Sequence, residues 1–133
     1  MTEKQSNIER HPLSPFFPAG AKVLMLGSFP PPRARWKIDF YYPNFQNDMW
    51  RIFGLVFFGE KDYFLTDDKK SFCESRIRSF LTEKGIALSD TAREVIRRKD
   101  NASDKFLEVV SVIDLDEALR RLPDCRAIVT TGQ

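Results

Sequence analysis

Residues 22–58 read KVLMLGSFPPPRARWKIDFYYPNFQNDMWRIFGLVFF. Val23, Leu24, Met25 and Leu26 form a continuous apolar run, stopped by Gly27 and then by Pro30, Pro31 and Pro32. A run that short and that sharply bounded predicts a strand covered on both faces, as in a parallel α/β sheet. Prolines carry no N–H and fix φ, so the chain leaves this strand as a stiff extended loop. A connector rich in aromatics and amides follows. Met49, Trp50, Ile52, Phe53 and Val56 then recur at spacings of three and four, which predicts a helix beginning near Asn47, a favoured N-cap. Gly54 weakens its middle and Gly59 ends it. In open α/β sheets ligands bind just beyond the carboxyl ends of strands, so a site is expected in the loop after Ser28.

Outward from this stretch, residues 1–10 are polar and read as a frayed end. Residues 11–20, HPLSPFFPAG, carry three prolines and read as an extended arm pinned to the body by Phe16 and Phe17. His11, beside Pro12, reads as structural or exposed, with a functional role as the alternative. Residues 67–84 predict a second helix, with Phe72, Ile77, Phe80 and Leu81 as its apolar stripe and Gly85 at its stop. Ile86, Ala87 and Leu88 make a second strand ending in Ser89, Asp90 and Thr91. Residues 93–104 are highly charged and read as an irregular excursion, with Ser103 or Asp104 capping a short helix through Val109. Residues 114–122 predict a helix with Leu115, Ala118, Leu119 and Leu122 inward. Residues 127–131, AIVTT, are a third strand.

Strands alternating with helices predict an α/β fold: a three-layer α/β/α arrangement around a short central parallel sheet. The division expected is an arm over residues 1–21 and one α/β domain over 22–133. The sequence stops at the mouth of a strand, which reads as part of a longer domain.

At 133 residues the chain is one domain or part of one, and 42% apolar content is enough for a core. Twelve Phe, three Tyr and two Trp crowd mainly between Phe16 and Phe64, too densely for one helix face, so some line a pocket or surface. The net charge of +2 is too balanced to point to nucleic acid by itself. Arg33, Arg35 and Lys37 make a local basic face, or simply a solvated connector. Cys73, Cys125 and the single histidine, His11, match no metal-ligand spacing. Two thiols so placed read as reduced, in a cytoplasmic protein. No apolar stretch reaches the ~18 residues of a membrane span, and the polar start lacks a signal-peptide core.

The ordered set Gly27-Ser28-Phe29-Pro30, then Tyr41, Tyr42, Pro43, Asn47 and Trp50, then GIALSDT, NASD and IVTTG, resembles the uracil-DNA glycosylase superfamily. The resemblance is closest to its mismatch-specific and hypoxanthine-DNA glycosylase branches. It implies a base-excision enzyme acting on DNA without metal or organic cofactor. It implies that Asn47 orients water or base, that Tyr42 stacks on the extruded base with Tyr41 as the alternative, and that the Gly27, Ser28 and Phe29 loop meets the base. It also implies a later His-Pro-Ser-type loop, a segment not found in these residues. The first loop departs from many members, since Ser28 and Phe29 supply neither carboxylate nor amide.

Cleaving an N-glycosidic bond requires extruding the base, holding its π-face, donating hydrogen bonds to its developing charge and placing one water. Extrusion costs a few kcal/mol, which stacking worth about 1–3 kcal/mol per base partly offsets. Tyr42 or Phe40 suits that stacking, Ser28 or Asn47 the polar work, and Arg33, Arg35 and Lys37 the phosphates. Each has a plainer reading: Asn47 as helix cap, the tyrosines as packing, Asp90 as a turn or cap residue. The alternative function is a non-catalytic α/β module binding a nucleobase or nucleotide, or an inactive fragment of a glycosylase.

Overall fold

The computed structural model describes residues 8–97 and 107–131. The apolar run forms β2 (Val23–Gly27), following a short β1 (Ile8–Arg10). Next come a single 3-10 turn (Arg33–Arg35), α1 (Met49–Phe58), α2 (Glu74–Lys84), β3 (Ile86–Asp90), β4 (Ala92–Arg97), β5 (Leu107–Val112), α3 (Leu115–Arg121) and β6 (Ala127–Thr130).

β3, β2 and β6 form a parallel sheet in that order, with β2 central. Side chains alternate along a strand, and β2 uses both faces. Met25 enters an aromatic core with Trp50, Phe64, Ile77 and Phe80, carried largely by α1 and α2. Leu24 and Leu26 enter the opposite cluster with Ala21, Ala87 and Leu122, which follows α3. The architecture is α/β, with the three parallel strands where the apolar runs predict them. Trp50 and Ile77 are fully buried, each contributing on the order of 2–3 kcal/mol of apolar transfer free energy. Asp114 caps α3, its carboxylate accepting the Glu117 N–H at 3.1 Å.

The sequence does not announce a second sheet, antiparallel, in the order β1, β4, β5. It overturns two expectations. The charged stretch after Ala92 is strand rather than excursion over Ala92–Arg97, and Leu107–Val112 is strand rather than the end of a short helix. Residues 98–106, which hold the proposed caps Ser103 and Asp104 and the NASD segment, lie outside the described residues. β4 disguises itself because a register shift around Glu94 breaks its alternation, while Ala92, Val95 and Ile96 are still buried. Nor are residues 8–10 frayed: they pair with Glu94, Val95 and Ile96.

α2 begins at Glu74, later than the expected 67. Asp68 accepts the Thr66 hydroxyl and the Lys70 N–H, and Lys69 takes φ +61°. Such local side-chain hydrogen bonds compete with helix. Ala118 on α3 and Leu122 just past its end are buried, but Leu115 is exposed rather than inward. The arm behaves as expected: Phe16 and Leu88 exchange both backbone hydrogen bonds at 2.8 Å, and Phe17 packs on the Leu24 cluster.

Candidate functional site

The carboxyl ends of the three parallel strands meet at one place. Gly27 and Asp90 are register partners across β2 and β3. Thr131, just past β6, donates its N–H to the Leu26 carbonyl at 2.8 Å. Against these ends, the proline loop and residues 41–49 enclose a cavity of about 300 Å³, the lower end of the range for small-molecule sites.

The connector is held down by buried Trp50, whose Nε1–H donates to the Tyr41 carbonyl at 3.0 Å. The next residue, Tyr42, takes φ +51°, a conformation costing a non-glycine residue about 1–3 kcal/mol. Two contacts flank the strained residue and hold it. Its hydroxyl bonds Thr131 Oγ1 at 2.7 Å, and the Pro43 carbonyl accepts the Lys37 N–H at 2.9 Å. Asn47 lies across the cavity on the entry to α1, its Oδ1 accepting the Met49 N–H at 2.8 Å. The N-cap of α1 is Asp48 rather than the expected Asn47, and it makes no side-chain capping bond. Asn47 instead closes a local turn onto Met49 just ahead of the helix and lines the hollow.

The cavity brings together Gly27, Ser28, Phe29, Tyr41, Tyr42 and Asn47. Phe40 is placed elsewhere: it is buried in the aromatic core against Trp50. Arg33, Arg35 and Lys37 are exposed beside the cavity rather than in it. Arg33 pairs with Asp39 at 2.6 Å and stacks over Trp36, whose Nε1–H donates to the carbonyl of cavity-lining Pro31 at 2.9 Å. The basic turn is thus tied to the rim.

Sequence reasoning undervalued Asp90 and His11. The Asp90 carboxylate lines the cavity, and its Oδ2 lies 2.6 Å from His11 Nε2. The His11 side chain has no solvent exposure and that of Asp90 only 8%. The one available signal was a carboxylate at a strand end beside a glycine; nothing tied it to His11, 79 positions away. The two tyrosine hydroxyls feel this environment. Burial pushes Tyr41 up to about 12, with the Asp90 charge adding to the effect. Burial also pushes Tyr42 up to about 12, partly opposed by its hydrogen bond to Thr131. Both phenols therefore stay protonated through neutral pH, as hydrogen-bonding rather than charged groups.

Among the described residues, no three His, Cys, Asp or Glu side chains are grouped to hold a metal ion, and no helix is long and apolar enough to cross a membrane. Cys73 and Cys125 are free thiols.

No family model and no curated protein matches the chain. Among solved structures, the chain is similar to the solution NMR structure of "a putative Uracil DNA glycosylase from Methanosarcina acetivorans". The TM-score is 0.70 at 23% sequence identity, covering 95% of this chain and 71% of the other. Identity that low speaks for architecture alone: the two chains share a fold.

Proposed function

We propose that this protein is a DNA glycosylase that flips uracil or a deaminated purine out of DNA and hydrolyses its N-glycosidic bond. The observation that carries the reading is the shared hollow: an aromatic ring at Tyr42, the carboxamide of Asn47 and the carboxylate of Asp90 line one cavity at the sheet's carboxyl edge. The shared fold supports it.

In this reading the base enters the cavity and stacks on Tyr42. Tyr41, almost wholly buried with its hydroxyl donated to the Ser14 carbonyl, supports the wall. Phe29 and Gly27 close the floor. Asp90 accepts from the ring N–H that uracil and hypoxanthine possess. Cytosine and adenine present an acceptor at that place, so two acceptors would face each other, and this is the discrimination a deamination-repair enzyme needs. Asn47 donates through its carboxamide to the base as negative charge develops there, and with the Ser28 hydroxyl it orients the attacking water. The water oxygen bonds to C1′ as the C1′–N bond breaks, the electron pair leaves with the base, and the proton the water sheds passes through solvent to the departing base. Asn47 does not titrate, so it orients rather than abstracts. Arg33, Arg35 and Lys37 meet backbone phosphates beside the cavity.

The second reading, a nucleobase-binding module without catalysis, draws on the loop between Gly27 and Pro30, which offers no carboxylate or amide. Single-turnover incubation with oligonucleotides containing uracil, hypoxanthine or a G·U mismatch separates the two. The glycosylase reading expects abasic product from at least one of them. Binding of a free base with no abasic product from any favours the module.

A further inference from the structure

We propose that His11 is a positioning residue for this cavity, holding the Asp90 carboxylate in the orientation in which a base meets it. The proposal rests on the reading of the cavity as a nucleobase site and goes beyond it, because it makes the N-terminal arm part of the working site.

The hydrogen bonds assign the imidazole's role. Leu13 donates its N–H to His11 Nδ1 at 3.1 Å, so Nδ1 is the acceptor and the ring proton sits on Nε2. That proton points at Asp90 Oδ2, 2.6 Å away. The ring itself cannot swing: its edge meets Phe29 at 5.2 Å between centroids, and Tyr41 packs beside it at 5.7 Å. The backbone beneath is pinned as well, with His11 N–H donating to the Arg93 carbonyl at 2.7 Å and Arg93 Nη2 donating to the Leu13 carbonyl at 2.8 Å. Asp90 Oδ2 is thereby engaged from the arm side, while Oδ1 lies against Gly27. A carboxylate with so little water around it keeps its orientation through such a donor.

Two substitutions separate the positioning role from mere packing. His11→Gln offers an amide N–H near the place of Nε2 and gives up the acceptor for Leu13. His11→Asn does the reverse, keeping an acceptor near Nδ1 and losing the donor to Asp90. Single-turnover excision and melting temperature are measured for both and for wild type. The expected result is a loss of about tenfold or more for His11→Asn, the scale of one hydrogen bond to a charged group, with His11→Gln recovering to within about threefold. Wild-type rates in His11→Asn overturn the proposal, as do equal losses in the two variants, which mark the arm as packing alone. If wild type excises nothing, the glycosylase reading falls by itself, and titration of free uracil and hypoxanthine into the same three proteins decides. The same order of affinities sustains the role of His11. Equal affinities, or no binding to wild type, overturn it.

Discussion

Gly27 and Asp90 are packed so closely that a Cβ on Gly27 would stand 2.5 Å from Asp90 Oδ1. The Tyr42 hydroxyl and Thr131 Oγ1 would lie next nearest, at 3.3 and 3.5 Å. Gly27→Ala is therefore expected to displace the cavity's carboxylate. Overpacking of this kind costs about 1–3 kcal/mol. Excision should fall by more than the melting temperature suggests, because in the proposed function the displaced group meets the base. Excision and thermal melting of the variant check this together.

Asn47→Ala separates the structural bond of that side chain from the role proposed for it. Losing the hydrogen bond to Met49 N–H should cost about 1 kcal/mol, a few degrees in melting temperature. Losing the donor that the proposed function gives to the departing base should cost on the order of 100-fold or more in rate. A rate loss no larger than the stability loss explains would leave Asn47 only the turn ahead of α1.

Gly54 is the case where helix propensity and packing disagree. Replacing a mid-helix glycine by alanine favours helix by about 1 kcal/mol. Here, however, the added Cβ would collide with the Glu60 carbonyl, where the chain folds back over α1. Backbone has little room to give, so the overpacking cost of about 1–3 kcal/mol should win. Gly54→Ala is expected to melt lower than wild type, measured by denaturant or thermal unfolding.

The buried tyrosines predict alkaline instability. Tyr41 and Tyr42 hold their protons to about 12 in the native chain against 10.0 for the free phenol. Between these values the native state binds more protons than the unfolded state, so unfolding becomes easier as pH rises. The stability is whole below pH 10 and lost progressively towards 12, by up to about 3 kcal/mol per ring. Denaturant midpoints taken across that window, with phenolate absorbance in parallel, give the test.

The basic turn predicts a salt signature. Each phosphate neutralised contributes about 0.9 to the slope of log affinity against log salt. Replacing Arg33, Arg35 and Lys37 by alanine should flatten that slope by about 2–3 for duplex DNA while leaving free-base affinity unchanged. Fluorescence anisotropy at several salt concentrations measures both.

The parallel sheet was legible because its strands are short apolar runs: β2 and β3 are buried along nearly their whole length, whereas β6 is exposed and stands out by its apolar composition alone. The antiparallel sheet was not. β4 mixes Arg93, Glu94 and Arg97 with buried Val95 and Ile96 across a register shift, and β1 is three residues long. Their pairing joins residues more than 80 positions apart, which no local pattern records. The site divides in the same way. Gly27, Tyr42 and Asn47 belong to one continuous stretch, and the loop that brings them together follows from three prolines and a buried tryptophan. His11 and Asp90 become neighbours only once the arm pairs alongside β3 through Phe16 and Leu88.

Tyr42 and Asn47 line one hollow, which the proposed function fills with a nucleobase. Isotope-filtered NOE spectra of the labelled protein saturated with unlabelled uracil or hypoxanthine test it most directly. Contacts are expected from the ring protons of at least one of these bases to both the Tyr42 ring and the Asn47 side-chain amide. Contacts confined to other residues, or none at saturation with either base, would contradict it.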